Sequence, residues 1–319
     1  MSQSRSSPAR WWLTGLLAAV LALLAALPGF AADYTIILLT SIYMYVNITV
    51  SWTIFSGPTR LISLASAAFF GVGIYTSAIW GKELPLLVVV VAGGAVSLLV
   101  ALFIGLLTLR LRGMYFIIFT FGISELIKNF LLWWETNMAG TVGRWVVKVD
   151  YVTVYYVMLG ILVLALLTAY VIRRSKFGLA LQSIGYNEQA AAHAGINVTL
   201  MKAMAFAVSA FFMGAAGAIM ATRWAYIDPR ISFNPLFSFM PVMMAIFGGM
   251  GQLYGPVLGA AFFTYLEEYL ITEFAYYYML LFGIVLVAAI LYLPNGVSGL
   301  VSKWWRRRAE VRNKGRPGG

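Results

Sequence analysis

RRSKFGLALQSIGYNEQAAAHAGINVTLMK, residues 173–202, is a polar island set between long apolar segments. Within it Asn187 predicts a helix N-terminus, because its side-chain oxygen can accept from the first free amides. Glu188 then falls at the positive end of the helix dipole, and Gly195 supplies the left-handed conformation that ends a helix. Ala190, Ala191, Ala192 and Ala194 lie between them and leave a nearly bare surface. Small side chains let another protein approach the backbone closely. The stretch reads as a docking element on one face of a membrane protein.

Outward from the island, composition fixes the class. Of 319 residues, 62% are hydrophobic and 10% charged, against roughly 45–50% and about 25% in soluble domains. A soluble chain cannot bury that much apolar surface, whereas runs of about 20 apolar residues suit the hydrocarbon core of a bilayer. The expected fold is an all-α polytopic membrane protein. The chain has no cysteine and a single histidine, His193. Disulfide frameworks, thiol nucleophiles and Cys/His zinc sites are therefore excluded.

Ten spans are expected: Trp11–Leu27, Tyr34–Phe55, Leu61–Trp80, Leu84–Leu109, Met114–Trp134, Val154–Ile172, Ala203–Thr222, Phe233–Gly248, Pro256–Ile271 and Tyr276–Leu293. The eighth and ninth are short, and Gly248, Gly249, Gly251, Gly255 and Gly259 interrupt the region between them. A re-entrant hairpin is the alternative there, since irregular backbone at membrane depth is tolerated when protein surrounds it. Arg5 and Arg10 ahead of the first run, with FAAD behind it, resemble a secretory signal. Phe30, at position −3 of that cleavage site, is too bulky for the small-residue rule.

The net charge of +11 is unevenly placed. With the N-terminus inside, Arg60, Arg110, Arg112, Arg173, Arg174, Lys176, Lys202 and the basic tail 303–319 share one side. Lys82, Arg144, Lys148, Arg223 and Arg230 fall on the other, with Lys128 inside a span. The positive-inside rule then places both termini and the island in the cytoplasm. The tail reads as a topology anchor and a contact for membrane lipids, not as a nucleic-acid-binding arm.

The island and its flanks resemble the membrane-spanning permease subunits of ABC uptake systems for branched-chain amino acids. The family's coupling loop carries Glu-Ala-Ala…Gly, met here by Glu188, Ala190, Ala191 and Gly195, followed by Ile196 and Asn197. The spacing is one residue longer than in the general permease motif, as is common in the amino-acid branch. The resemblance continues through KAMAFAVSAFFMGAAGAIMA (Lys202–Ala221), Asp228-Pro229, FGGMGQLYGPVLGA (Phe247–Ala260) and LPNGVSGL (Leu293–Leu300). Upstream it includes SLASAAFFGVGIYTSAIW (Ser63–Trp80) and RGMYFIIFTFGISELIKN (Arg112–Asn129). The glycine-rich stretch usual after the fifth span is only AGTVG (Ala139–Gly143).

The resemblance implies a transmembrane permease domain over residues 1–302, with its coupling loop at 173–202, in the bacterial inner membrane. It implies ABC ATPase subunits, a second permease subunit (a paralogue) and a periplasmic solute-binding protein as partners. Asn187, Glu188, Ala190, Ala191 and Gly195 would form the ATPase-coupling element. The chain has no GxxxxGK[ST] loop, so no cofactor is expected on it, and ATP-Mg would sit on the partner subunits.

Polar residues within spans are candidates for the solute pathway, because an ionised group at a bilayer centre costs roughly 2.5–3.5 kcal/mol and turns inward. They are Asn47, Ser63, Ser66, Thr120, Glu125, Lys128 and Asn129; Glu125 and Lys128 stand one helical turn apart and can pair. The same machine carrying urea, short amides or other small solutes is an alternative. An ion-coupled secondary transporter is a further one, poorly matched by an acid that sits beside a lysine. A membrane-embedded enzyme would gather several acids or histidines, and the chain offers one histidine in a loop.

Overall fold

The computed structural model describes residue 19 and residues 22–109, 111 and 113–292. Most of the expected first span, Arg5, Arg10, Arg110, Arg112, the LPNGVSGL segment and the basic tail lie outside the described residues.

Apolar runs with few charges close their backbone hydrogen bonds internally, which in lipid leaves helices as the workable solution. After a 3-10 turn at Leu27–Gly29, α1 runs from Asp33 to Thr59 and ends at Arg60 in the left-handed region (φ 58°). Residues 61–65 are not helical, and α2 begins only at Ser66 and runs to Trp80. Then come α3 (Leu86–Thr108) and α4 (Met114–Trp134), which continues as a π-helical turn over Glu135–Ala139. The short strand β1 (Arg144–Trp145) leads to α5 (Tyr151–Arg174). The polar island forms α6 (Lys176–Tyr186) and α7 (Glu188–His193), and α8 (Val198–Ala221) returns through the bundle. Strand β2 (Tyr226–Ile227), α9 (Pro229–Ser232), α10 (Leu236–Gly248), α11 (Tyr254–Glu273) and α12 (Tyr278–Tyr292) complete the described chain.

The architecture is thus the all-α, polytopic one. By length and composition, six spans qualify among the described residues: α1, α3, α4 with its π turn, α5, α8 and the α9–α10 unit. The expected span Leu61–Trp80 is shortened to a helix of 15 residues, because its first five residues are not helical. α11 carries Glu267, Glu268 and Glu273 along its last turns and is not among the six.

α8 is the axis. Its most apolar stretch is 83% buried, and it packs on α1, α2 and α3. Close approach is built into the sequence: a Cβ on Gly73 would strike the Gly214 carbonyl, and one on Gly214 would strike Ser97 and the Gly93 carbonyl. Small residues at crossings are how membrane helices gain van der Waals contact when lipid competes equally well for apolar surface. Phe206 of α8 gathers Phe55 and Phe69 at ring-centroid distances of 5.0 Å each. By contrast, α4 with its π turn is only 17% buried.

The helices alternate between two ends. At one, Arg173 Nη2 donates to Met250 O (3.0 Å), and the Arg60 guanidinium lies 4.3 Å from the Tyr186 ring centroid. At the other, β1 and β2 pair antiparallel, with Arg144 opposite Ile227 and Trp145 opposite Tyr226. There the buried Glu135 accepts from Gly143 N (2.8 Å) and faces Arg144 at 3.5 Å. Arg223 Nη1 donates to Ser41 Oγ (3.1 Å). Burial lowers the pKa of Arg223, offset in part by the fields of Tyr151 and Glu268. Since α9 follows β2 at one end and Gly248 meets Gly255 at the other, α10 and α11 run between the two ends of the bundle.

Candidate functional site

The polar island builds a small platform in three steps. Ser175 caps α6 by accepting from Gly178 N (3.2 Å). Asn187, extended at φ −154° and ψ 106°, caps α7 by accepting from Ala190 N (3.0 Å). Gly195 then takes φ 84°, which favours glycine. Its N–H reaches Ala192 O (3.0 Å) and Ile196 N reaches Ala191 O (3.1 Å). That pair of bonds is the Schellman motif, which satisfies the carbonyls a helix end leaves open. Asn197 finally caps α8 through Leu200 N (3.1 Å).

α7 is therefore held at both ends by its own sequence. Ala191 turns inward and is buried, while Ala190, Ala192, His193 and Gly195 face out and leave a surface of small groups. Glu188 does not stand free on that surface. Its Oε2 lies 3.0 Å from Lys202 Nζ, and the Lys202 side chain is 2% exposed. Lys202, read from sequence as one more basic loop residue, is a buried residue in the first turns of α8.

A second feature lies inside the bundle, at the break between α1 and α2. Five residues of non-helical backbone in a membrane protein need partners for their polar groups. Trp52 Nε1 donates to Ser63 O (2.8 Å). Leu64 N donates to Thr120 Oγ1 (3.0 Å), and Leu64 O accepts from Ser238 Oγ (2.7 Å) and Ser124 Oγ (3.2 Å). Ala67 N, in the first turn of α2, donates back to Ser238 Oγ (3.1 Å). Side chains from α1, α4 and α10 thus replace the missing helical bonds.

Beside the break, Ser56, Ser63, Ser66 and Ser209 line a narrow cleft with Trp52 and Phe206, with no room in this conformation for a water molecule. Ser56 Oγ, Ser66 Oγ and, farther along α1, Ser51 Oγ are buried without a hydrogen-bond partner. Asn47 Nδ2 donates to Phe212 O (2.9 Å), while its Oδ1 has no partner. Buried polar atoms left unpaired cost free energy and call for a role.

The sequence-derived pathway candidates fall into two groups. Asn47, Ser63, Ser66 and Thr120 are buried around α1, the break and α8. Glu125, Lys128 and Asn129 lie elsewhere, on the less covered side of α4. Glu125 pairs with Lys128, and Asn129 Nδ2 donates to Glu125 O (2.8 Å). Trp52, Ser56, Ser124, Ser209 and Ser238 join the first group without having been singled out from sequence. A hydroxyl in an apolar helix can bond its own i−4 carbonyl, so sequence does not reveal which ones reach across to another segment.

Residues 34–290 match the family described as branched-chain amino acid transport system / permease component. The chain is 26% identical over 321 residues to the high-affinity branched-chain amino acid transport system permease protein LivM of Salmonella typhimurium, covering 88% of this chain and 74% of that one. It is 25% identical to LivM of Escherichia coli, with the same coverage. A shorter likeness, 29% over 128 residues (38% of this chain and 40% of the relative), is to the ribose import permease protein RbsC of Haemophilus influenzae. No solved structure gives a significant match. With its apolar crossing helices and a match that spans most of its length, the chain belongs to the permease components of branched-chain amino acid ABC transport systems.

Proposed function

We propose that this chain is one of two permease subunits of an inner-membrane importer, moving branched-chain or related hydrophobic amino acids with energy from ATP hydrolysed on partner subunits. The observation that carries the reading is α7: a helix capped at both ends, bare on its outer face and tied by Glu188 to Lys202 of the central α8. An ATPase gripping that surface pulls on the core of the bundle and not on a loose loop. ATP-driven closure of two ATPases then favours one permease conformation over another by differential binding. Asn187, Glu188, Ala190, Ala191 and Gly195 form the coupling element, with Glu188 holding it in place. Both termini lie in the cytoplasm, and a periplasmic binding protein delivers solute to the end that carries the β1–β2 pair.

The solute route runs beside the α1–α2 break, where Asn47, Ser51, Ser56 and Ser66 hold unspent polar capacity among aromatic walls. The second permease subunit, a paralogue, covers α4. In support, α4 is the least buried crossing, and its Glu125–Lys128 pair sits near mid-span with 30% and 18% of the side chains uncovered. Charge at that depth is costly against hydrocarbon.

The test is reconstitution of the chain with its ATPases, second permease and binding protein in vesicles, followed by uptake of radiolabelled leucine. ATP-dependent uptake competed by isoleucine and valine, and not by urea or ribose, supports the reading. Uptake driven by an imposed proton gradient without ATP rejects it.

A further inference from the structure

A cavity of about 260 Å³ opens at the end of the bundle that carries α6. Among the described residues, Arg60 and Arg173 are the only charged ones lining it, two guanidiniums with no carboxylate beside them. Gln182 and Tyr186 of α6 form its polar rim, and Ile54 and Ile172 form a wall that continues into the spans. Neither arginine has a carboxylate partner among the described residues.

Both guanidiniums are held in position. Arg60 occupies the left-handed residue that ends α1 and stacks over the Tyr186 ring at 4.3 Å. Arg173 uses Nη2 on the carbonyls of Met250 (3.0 Å) and Gly251 (3.4 Å), which leaves its other donors unspent. A stacked or anchored guanidinium loses little freedom when it binds, and its planar fork matches the oxygens of a phosphate. The apolar wall behind the charges matches the glycerol and upper acyl region of a lipid. Basic pockets between helices at the cytoplasmic face are where anionic headgroups dock.

We propose that this cavity binds a phosphate group between Arg60 and Arg173, that of an anionic lipid headgroup. Occupancy joins the ends of α1 and α5, the turn before α11 and α6. Because α6 runs directly into Asn187 and α7, a bound headgroup stiffens the platform that carries the coupling helix. The site does not depend on which solute is transported.

The test follows thermal unfolding of the purified full chain by tryptophan fluorescence during titration with short-chain phosphatidylglycerol, phosphatidylcholine or inorganic phosphate. Phosphatidylglycerol is expected to raise the unfolding temperature, with phosphatidylcholine doing little. Arg60→Gln and Arg173→Gln each raise the half-maximal concentration about tenfold, the weight of one charge-assisted contact. Arg174→Gln is the matched control, because Arg174 stacks on Tyr170 (4.6 Å) and does not line the cavity. Should Arg60→Gln unfold the chain, Gln182→Trp narrows the rim without removing charge and should weaken the effect of phosphatidylglycerol. A full shift with inorganic phosphate that needs Arg60 supports the phosphate site and overturns its assignment to lipid. No shift with either ligand, or an equal loss in Arg174→Gln, overturns the site.

Discussion

The Lys202 ammonium, buried in the first turns of α8, sits 3.0 Å from the carboxylate of Glu188, the first residue of α7. The pair converts a surface helix into an extension of the bundle's central element. Removing one partner of a fully buried pair costs about 3–5 kcal/mol, and the 29% exposure of Glu188 reduces the expected loss for Glu188→Gln to about 1–2 kcal/mol. Thermal unfolding measures it. Glu188→Arg sets two cations together and should abolish ATP-dependent uptake, with partial recovery when Lys202→Glu is added. Normal uptake by Glu188→Arg alone would reject the coupling role of this helix.

Asn187 holds α7 through its side-chain cap and Gly195 through its left-handed backbone. Asn187→Ala removes a cap worth about 1 kcal/mol, and Gly195→Ala strains a left-handed residue by about the same amount. Both costs fall on a short surface helix, so yield and unfolding temperature should hold. The ratio of solute imported to ATP hydrolysed should fall, and an unchanged ratio would show that α7 need not be preformed.

Ser238 serves the α1–α2 break twice, donating to Leu64 O and accepting from Ala67 N. Ser238→Ala takes the partner from Ala67 N and leaves Leu64 O with Ser124 Oγ alone, at a cost of about 1–3 kcal/mol. Ser238→Thr keeps the hydroxyl and should recover most of the loss. Equal unfolding temperatures for the alanine variant and the native chain would show that Ser238 does not support the break.

Glu125→Gln strands the Lys128 charge near the middle of α4. The expected penalty approaches the roughly 2.5–3.5 kcal/mol of a lone charge at bilayer depth, seen as reduced membrane yield. Adding Lys128→Gln should restore yield. If the single variant accumulates normally, the pair faces water.

Much of this was legible in the sequence because it is local. Asn187, Glu188 and Gly195 announce α7 within a few residues, and the fold delivers that helix with both caps closed. The crossing helices are legible from apolar runs. The break at residues 61–65 was not, since Leu-Ile-Ser-Leu-Ala is apolar enough to continue a helix. What holds it out of the helix are Trp52, Thr120, Ser124 and Ser238, contributed by α1, α4 and α10. The island's other helix, α6, and the anchoring of Lys202 were likewise hidden, because a lysine beside a polar loop reads as solvated unless its partner is known. Thr120 and Glu125 lie close in sequence, yet one faces the break and the other the less covered side of α4, a division set by helix rotation against neighbours.

The hydrogen bonds at Leu64 also constrain the order in which the protein is made. α2, with 15 residues, spans only about 22 Å at 1.5 Å per residue, short of a hydrocarbon core of about 30 Å. The non-helical residues ahead of it supply the rest. Their hydrogen-bond partners at Thr120, Ser124 and Ser238 leave the ribosome later, the last of them only when α10 is synthesised. Until then the backbone of residues 61–65 has no place in lipid, and the nascent chain must keep it at the interface or inside the insertion machinery. Final seating of α2 is therefore an event of late assembly, and truncated chains that end before α10 should be recognised by membrane quality control as unfinished.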